Sequence, residues 1–149
     1  KWGIKDNLSL NIMNLLPFYY TTFFSIIKLG DLMKLINSHT LEIKKSKFIA
    51  YYYEVDDASE VKDIINNLKK EHKKAKHIPY AYKINQDMKK SDDKEPSGTS
   101  GMPILNIIQK NNLNHTLIAV VRYFGGIKLG AGGLIRAYGN AAKEVIKID

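Results

Sequence analysis

The sequence predicts an α/β (α+β) domain, a mixed sheet packed with helices in a two-layer sandwich. Three observations lead there. Residues 41–55 and 115–124 are rich in β-branched and aromatic types, as strands are. Val61, Ile64, Ile65 and Leu68 recur at i, i+3, i+4 and i+7, which is one apolar helix face. Strand-like and helix-like stretches alternate along the chain, giving the order ββ–α–β–α–β–α.

The elements follow in turn. In LEIKKSKFIAYYYEV (41–55) the alternation slips near Lys45-Ser46, so a bend, a bulge or a tight hairpin is expected there. Asp57 and Glu60 form a capping box that opens a helix over 58–74, because the aspartate accepts from the N3 amide while the glutamate reaches back. That helix ends in Lys69, Lys70, Lys73 and Lys74, with Lys76 just beyond, which complements the negative end of its dipole. A strand is expected over 78–85 and a polar loop from Gln86 to Gly101. Pro103 then opens a short buried helix carrying Ile104, Leu105, Ile107 and Ile108. HTLIAVVRYF (115–124) is the most hydrophobic strand and is expected at the centre of the sheet. The last helix, 133–147, buries Leu134, Tyr138, Ala141, Ala142 and Val145.

The chain has 149 residues, enough for one domain with a real core. It has no cysteine, which excludes disulfides, a thiol nucleophile, a cysteine zinc site and a thiolate-held cluster. Lysine plus arginine outnumber aspartate plus glutamate 23 to 15, for a formal charge of +8. That balance favours an anionic partner, whether RNA, a ribosome, an acidic protein face or a membrane surface, and is equally what solvated lysines of a lysine-rich composition would give. Residues 7–27 are uncharged and about as long as a membrane span, but Asn7, Asn11, Asn14 and Pro17 interrupt them. A membrane role is therefore disfavoured, and no signal-peptide cleavage pattern follows. Residues 1–40 read as an apolar N-terminal extension and 41–149 as the domain. Residues 1–32 are expected to be either an extension upstream of a start at Met33 or a partial start, and the extension to be non-native or partly disordered.

Two segments could carry chemistry. SDDKEPSGTSGMP (91–103) puts three carboxylates, several hydroxyls and two glycines before a helix. Asp92, Asp93 and Glu95 could serve as metal ligands or acid/base groups, but oxygen-rich loops outside the calcium-loop register are usually plain turns. Ser97, Gly98 and Thr99 could instead present amides and hydroxyls to an anion. The second segment runs from Arg122 to Gly139 and holds six of the ten glycines. Gly125, Gly126, Gly130, Gly132 and Gly133 permit tight strand–helix packing, and with Arg122, Lys128 and Arg136 they could form an anion-binding corner. It is neither a nucleotide-hydrolase phosphate loop nor a dinucleotide fingerprint. Arg122 and Arg136 are the only arginines. Among His39, His72, His77 and His115 no pair has zinc-helix spacing. His77 reads as a hydrogen-bonded packing residue beside Tyr80 and Tyr82.

Four motifs carry a family resemblance over about residues 41–149: Lys45-Ser46-Lys47-Phe48; Ala75-Lys76-His77 with Ala81-Tyr82; Glu95-Pro96-Ser97-Gly98-Thr99; and Val121-Arg122-Tyr123-Phe124-Gly125-Gly126 through Lys128-Leu129-Gly130, Gly132-Gly133-Leu134 and Arg136-Ala137-Tyr138. The chain resembles the Impact/YigZ family. It departs from the family pattern at Lys94, where glycine is usual, and at Met102, where arginine is frequent. The resemblance implies a fold similar to elongation factor G domain IV and to the second domain of a small-subunit ribosomal protein. It also implies a cytoplasmic, translation-associated regulator acting by protein binding. Eukaryotic Impact proteins restrain the amino-acid-starvation kinase of translation initiation factor two by competing for that kinase's ribosome-associated activator. A protein partner in the translation-stress pathway is thus expected, with no cofactor, no metal and no catalytic residue assigned. The binding residues expected are Arg122, Lys128 and Arg136, the five glycines of their loop, and Glu95, Ser97, Gly98, Thr99 and His77. Two other readings stand beside it. One is an RNA- or ribosome-binding module that stacks bases on Tyr51, Tyr52 and Tyr53. The other is an enzyme acting on an anionic substrate between the Glu95 loop and the glycine loop.

Overall fold

The computed structural model describes residues 34–148. The expectations for residues 1–32 lie outside them. Strand β1 (Leu35–Ile43) turns into β2 (Ser46–Glu54) through Lys44 and Lys45, both with positive φ. Two left-handed residues in a row make the tight hairpin turn whose twist matches the flanking strands, so the slip in alternation is a hairpin. β1 starts at Leu35, and residues 35–40 therefore belong to the sheet and not to the extension. The polar run Asn37-Ser38-His39-Thr40 hides this edge strand from a hydrophobicity pattern. The Asn37 side chain ties the strand to the last helix by donating to the Val145 carbonyl at 3.0 Å.

Helix α1 (Ala58–Glu71) has the expected box, with one change: Asp57 accepts from the Glu60 amide at 3.0 Å, while Glu60 reaches the amide of Asp56 at 2.8 Å. Its buried residues are Val61, Ile64, Ile65 and Leu68. It stops three residues before the expected end, as His72 caps it by donating to the Leu68 carbonyl. β3 (Tyr80–Ile84) folds straight back into β4 (Asp87–Ser91), which the sequence reading placed in a polar loop. β4 is a lysine-bearing edge strand, exposed over nearly its whole length. With no buried face it has no apolar period, and charge is how natural edges avoid further pairing. Helix α2 (Gly101–Lys110), strand β5 (Thr116–Tyr123) and helix α3 (Gly130–Val145) complete the described chain.

The sheet order is β1-β2-β5-β3-β4, and every pairing is antiparallel. The expected α/β class holds, but the sheet is not mixed. β5 slots between β2 and β3 and runs opposite to both, so the crossover pair β2–α1–β3 is split. Nor are there only two layers. Phe48, Ala50, Tyr52, Ile118 and Val120 pack with α2 and α3, while Tyr53, Val55, Leu117, Ala119 and Val121 pack with α1. Alternate residues of β2 and β5 thus feed two cores on opposite faces. β5 is central, as expected, and its residues from Thr116 to Arg122 are all buried, a pattern that requires cover on both sides.

Candidate functional site: a buried clasp under a glycine loop

Arg122, next to last in β5, shares the sheet face of Phe48, Ile118 and Val120. Its guanidinium lies 5.7 Å from the Phe48 ring centroid and 5.6 Å from that of Phe124. A cation so placed needs a counter-charge, and Glu95 supplies it. One guanidinium nitrogen donates to both carboxylate oxygens, at 3.0 and 2.7 Å. The Tyr138 hydroxyl, from α3, donates to the same carboxylate at 2.5 Å. Burial, and then the adjoining carboxylate, push the Tyr138 phenol far above the ordinary tyrosine range, so the hydroxyl stays a donor. His77 completes the clasp. Its Nδ1 donates to the Asp93 carbonyl at 2.7 Å, and its Nε2 sits 3.5 Å from Glu95. Arg122 and His77 are also joined through the backbone, where the Arg122 amide donates to the His77 carbonyl at 2.9 Å.

The loop between β4 and α2 is folded so that Glu95 points into this clasp. Asp93 and Lys94 both have positive φ and reverse the chain. Glycine, the residue the family resemblance leads one to expect at position 94, adopts that region without strain. Asp92 organises the rest. Its Oδ1 accepts from the Ser100 amide, the Ser100 hydroxyl and the Gly101 amide, and its Oδ2 from the Gly98 amide, all within 2.8–3.2 Å. Burial opposes its ionisation, but these bonds outweigh it and hold the carboxyl below its ordinary 3.8. Asp92 therefore caps α2 from a distance, while Ser100 at the cap position makes no side-chain cap bond. Asp93 accepts from the Ile78 amide at 2.7 Å. The three carboxylates of this loop thus face three separate sets of protein donors, an arrangement that serves folding.

The glycine loop lies over the clasp. A Cβ on Gly125 would fall 1.9 Å from the Lys45 carbonyl oxygen, so only glycine lets the loop meet the β1–β2 turn. The Gly125 amide donates to Ser46 Oγ at 3.2 Å, which joins the first and fourth motifs. Gly126 and Gly130 take positive φ, and Gly130 opens α3 without a side-chain cap.

The thirteen residues expected to bind divide into two groups. Arg122, Glu95 and Thr99 are drawn inside with His77 half-buried beside them, and Thr99 closes its turn by donating to the Pro96 carbonyl at 2.6 Å. Lys128, Arg136, Ser97, Gly98, Gly126, Gly130 and Gly132 are exposed, while Gly125 and Gly133 are half-buried. The two arginines do not act together: Arg122 is neutralised within, and Arg136 lies on the outer face of α3. Tyr138 and Phe48 were missed as parts of the site, and Asp92, read as a candidate metal ligand or acid/base group, instead holds the loop together. A tyrosine on an otherwise apolar helix face was the available signal, because a buried hydroxyl calls for a partner. Of the tyrosines expected to stack bases, Tyr52 and Tyr53 are core residues, and Tyr51 is half-buried with its hydroxyl 3.0 Å from His72 Nε2. They form no open platform.

Fold and site together define a small α/β domain whose charged centre is closed and whose loops face outward. The Impact N-terminal domain matches residues 44–146, and the chain belongs to the Impact family. It is 45% identical over 115 residues to the IMPACT family member YvyE of Bacillus subtilis (strain 168), spanning 75% of this chain and 53% of that protein. It is 36% identical over 111 residues to the IMPACT family member YigZ of Escherichia coli (strain K12), spanning 71% and 54%. The chain therefore spans about half the length of the curated relatives it matches. A crystal structure described as that of a hypothetical protein superposes with a TM-score of 0.71 at 34% identity, over 74% of this chain and 56% of that one. The two-domain translational regulator Yih1 shares the fold at a TM-score of 0.51 and 18% identity, over 94% of this chain and 66% of that one. No helix among the described residues is long and apolar enough to cross a membrane.

Proposed function

We propose that this domain is a translation-associated regulator that works by binding a protein. The observation that carries the reading is the closure of its charged centre. Glu95 and Arg122 pair with one another out of solvent, so the groups best suited to acid–base work are committed to holding two loops together. What remains open to a partner is the outer surface of those loops. The description of Yih1 as a translational regulator supports the direction, since that protein shares this fold. The finer form follows from the family resemblance: competition for the ribosome-associated activator of the amino-acid-starvation kinase, in the cytoplasm.

A second reading, an RNA- or ribosome-binding module, is favoured by one feature. Lys69, Lys70, Lys73, Lys74 and Lys76 crowd the exposed end of α1. Affinity capture with the whole chain as bait, with and without nuclease, separates the two. A nuclease-resistant complex with the kinase activator supports the regulator. Ribosomal material lost on nuclease treatment, with binding that falls steeply with salt, supports the RNA module, because phosphate contacts release counterions.

A further inference from the structure

We infer that the surface formed by Phe124, Ile127, Ile135 and Met102 docks an acidic, amphipathic peptide segment of a protein partner. The inference rests on the protein-binding reading above and names the chemistry of the partner.

The described residues include five exposed large hydrophobic side chains, and four of them stand on the glycine loop and near the starts of α2 and α3, two helices that pack together. Phe124 and Ile127 stand on the glycine loop, and Ile135 on the second turn of α3. Met102 stands on the first turn of α2, beside Pro103, which faces Gly139 of α3 across a gap that a Cβ would close to 3.9 Å. Single exposed apolar residues are ordinary; a group on adjoining loops and helix starts is characteristic of interaction sites.

Along the chain the charge that flanks the group is basic; the Asp92 carboxylate, beside Met102, is taken up by the Ser100 and Gly101 amides at the start of α2. From residue 96 to residue 143 there is no aspartate or glutamate, while Lys110, Arg122, Lys128, Arg136 and Lys143 fall within the stretch. Arg122 is already neutralised by Glu95. Lys128 follows Ile127 directly and Arg136 follows Ile135, so apolar anchors and free cations are interleaved. Lys76 adds a third cation, its Nζ 5.4 Å from the centroid of the Phe124 ring. An incoming segment that buries apolar side chains here must bring carboxylates to the rim or leave these cations facing a mismatched partner.

The anchors are also held in place. Phe124 lies against two cations, Lys76 and Arg122, and its loop is pinned by Gly125 against the β1–β2 turn. Ordering them beforehand lowers the entropic cost of docking. Aliphatic anchors favour a peptide over RNA, because bases bind by stacking on open aromatic faces and the Phe124 ring is engaged by cations.

The test uses the full chain with isotope-labelled Met and Ile methyls. The probes are a synthetic helical peptide with leucines on one face and glutamates on the other, a scrambled peptide of the same composition, a peptide with lysines for the glutamates, and oligouridine. The acidic amphipathic peptide is expected to shift the Met102, Ile127 and Ile135 methyls and to leave those of the buried Ile104 and Ile118 unmoved. Lys128→Glu/Arg136→Glu, with unchanged Ile104 and Ile118 signals as proof of folding, should weaken that peptide by about tenfold or more and bind the lysine peptide instead. No shift with the peptide in large excess overturns the inference. So does equal binding of the scrambled peptide, or oligouridine moving the same methyls. Silent methyls in a chain that still captures its nuclease-resistant partner overturn this docking face alone. Capture that vanishes with nuclease overturns the protein-binding reading itself.

Discussion

The Glu95–Arg122 clasp and the glycine loop almost adjoin in sequence, with only Tyr123 between Arg122 and Phe124, yet they use charge in opposite ways. In the clasp a cation and an anion are taken out of water and paired with one another, with Tyr138 on the carboxylate, aromatic rings about the guanidinium and the Arg122 Nε left without a hydrogen bond. In the loop Lys128 and Arg136 stand exposed beside apolar side chains. Residue type does not separate the two regions; burial does. A buried ion pair adds little net stability over an apolar equivalent, but losing one partner leaves an uncompensated charge. An exposed cation contributes almost nothing to folding and is free to meet a partner. The clasp is therefore where substitution should damage the fold, and the loop is where it should damage binding alone.

Glu95→Ala breaks that contrast hardest. It strands Arg122 in the core and should destabilise the domain by about 3–5 kcal/mol in urea unfolding. A loss below ~1 kcal/mol would mean that water reaches the guanidinium. Gly125→Ala comes next, at about 2–3 kcal/mol, because its Cβ would strike the Lys45 backbone and the hairpin would have to move. Tyr138→Phe removes a donor from the carboxylate while keeping the ring, which packs edge-on to Phe48 at 5.2 Å. A cost of about 1–2 kcal/mol is expected by the same measurement.

Asp92 sharpens the comparison through pH. Its folded-state carboxyl is held below 3.8, so its contribution is fully present above that value. The contribution is lost as pH falls below 3.8 towards the folded value. Asp92→Ala should cost about 1 kcal/mol at neutral pH, as loss of a helix cap does, and the gap from the natural chain should narrow in acid. The smallest effect belongs to Lys128→Ala and Arg136→Ala. Each should leave the unfolding midpoint within ~0.5 kcal/mol of the natural chain, as surface changes do, so any binding defect they cause cannot be put down to misfolding.

Much of the local structure was legible because its causes are local. The Asp57–Glu60 box, the Val61–Leu68 stripe and the hydrophobic run of β5 each set their own element within a few residues. The turn at Lys44-Lys45 showed as a break in alternation. β4 was illegible because an exposed edge strand buries nothing and so carries no period. The two-sided cover of the sheet was implicit in β5, where seven consecutive buried residues suit a strand with neighbours on both faces.

The sequence by itself determined the three helices and the strands β2, β3 and β5, where the glycines concentrate, and which family the motifs resemble. It could do so because propensity, capping and turn chemistry act between near neighbours. Only the tertiary structure decided that β5 would part β2 from β3, and that Arg122 would meet Glu95 and Tyr138 while Arg136 stayed outside. Those outcomes depend on residues far apart in the chain reaching the same low-dielectric space. There, an unpaired charge is so costly that the fold brings its partner to it.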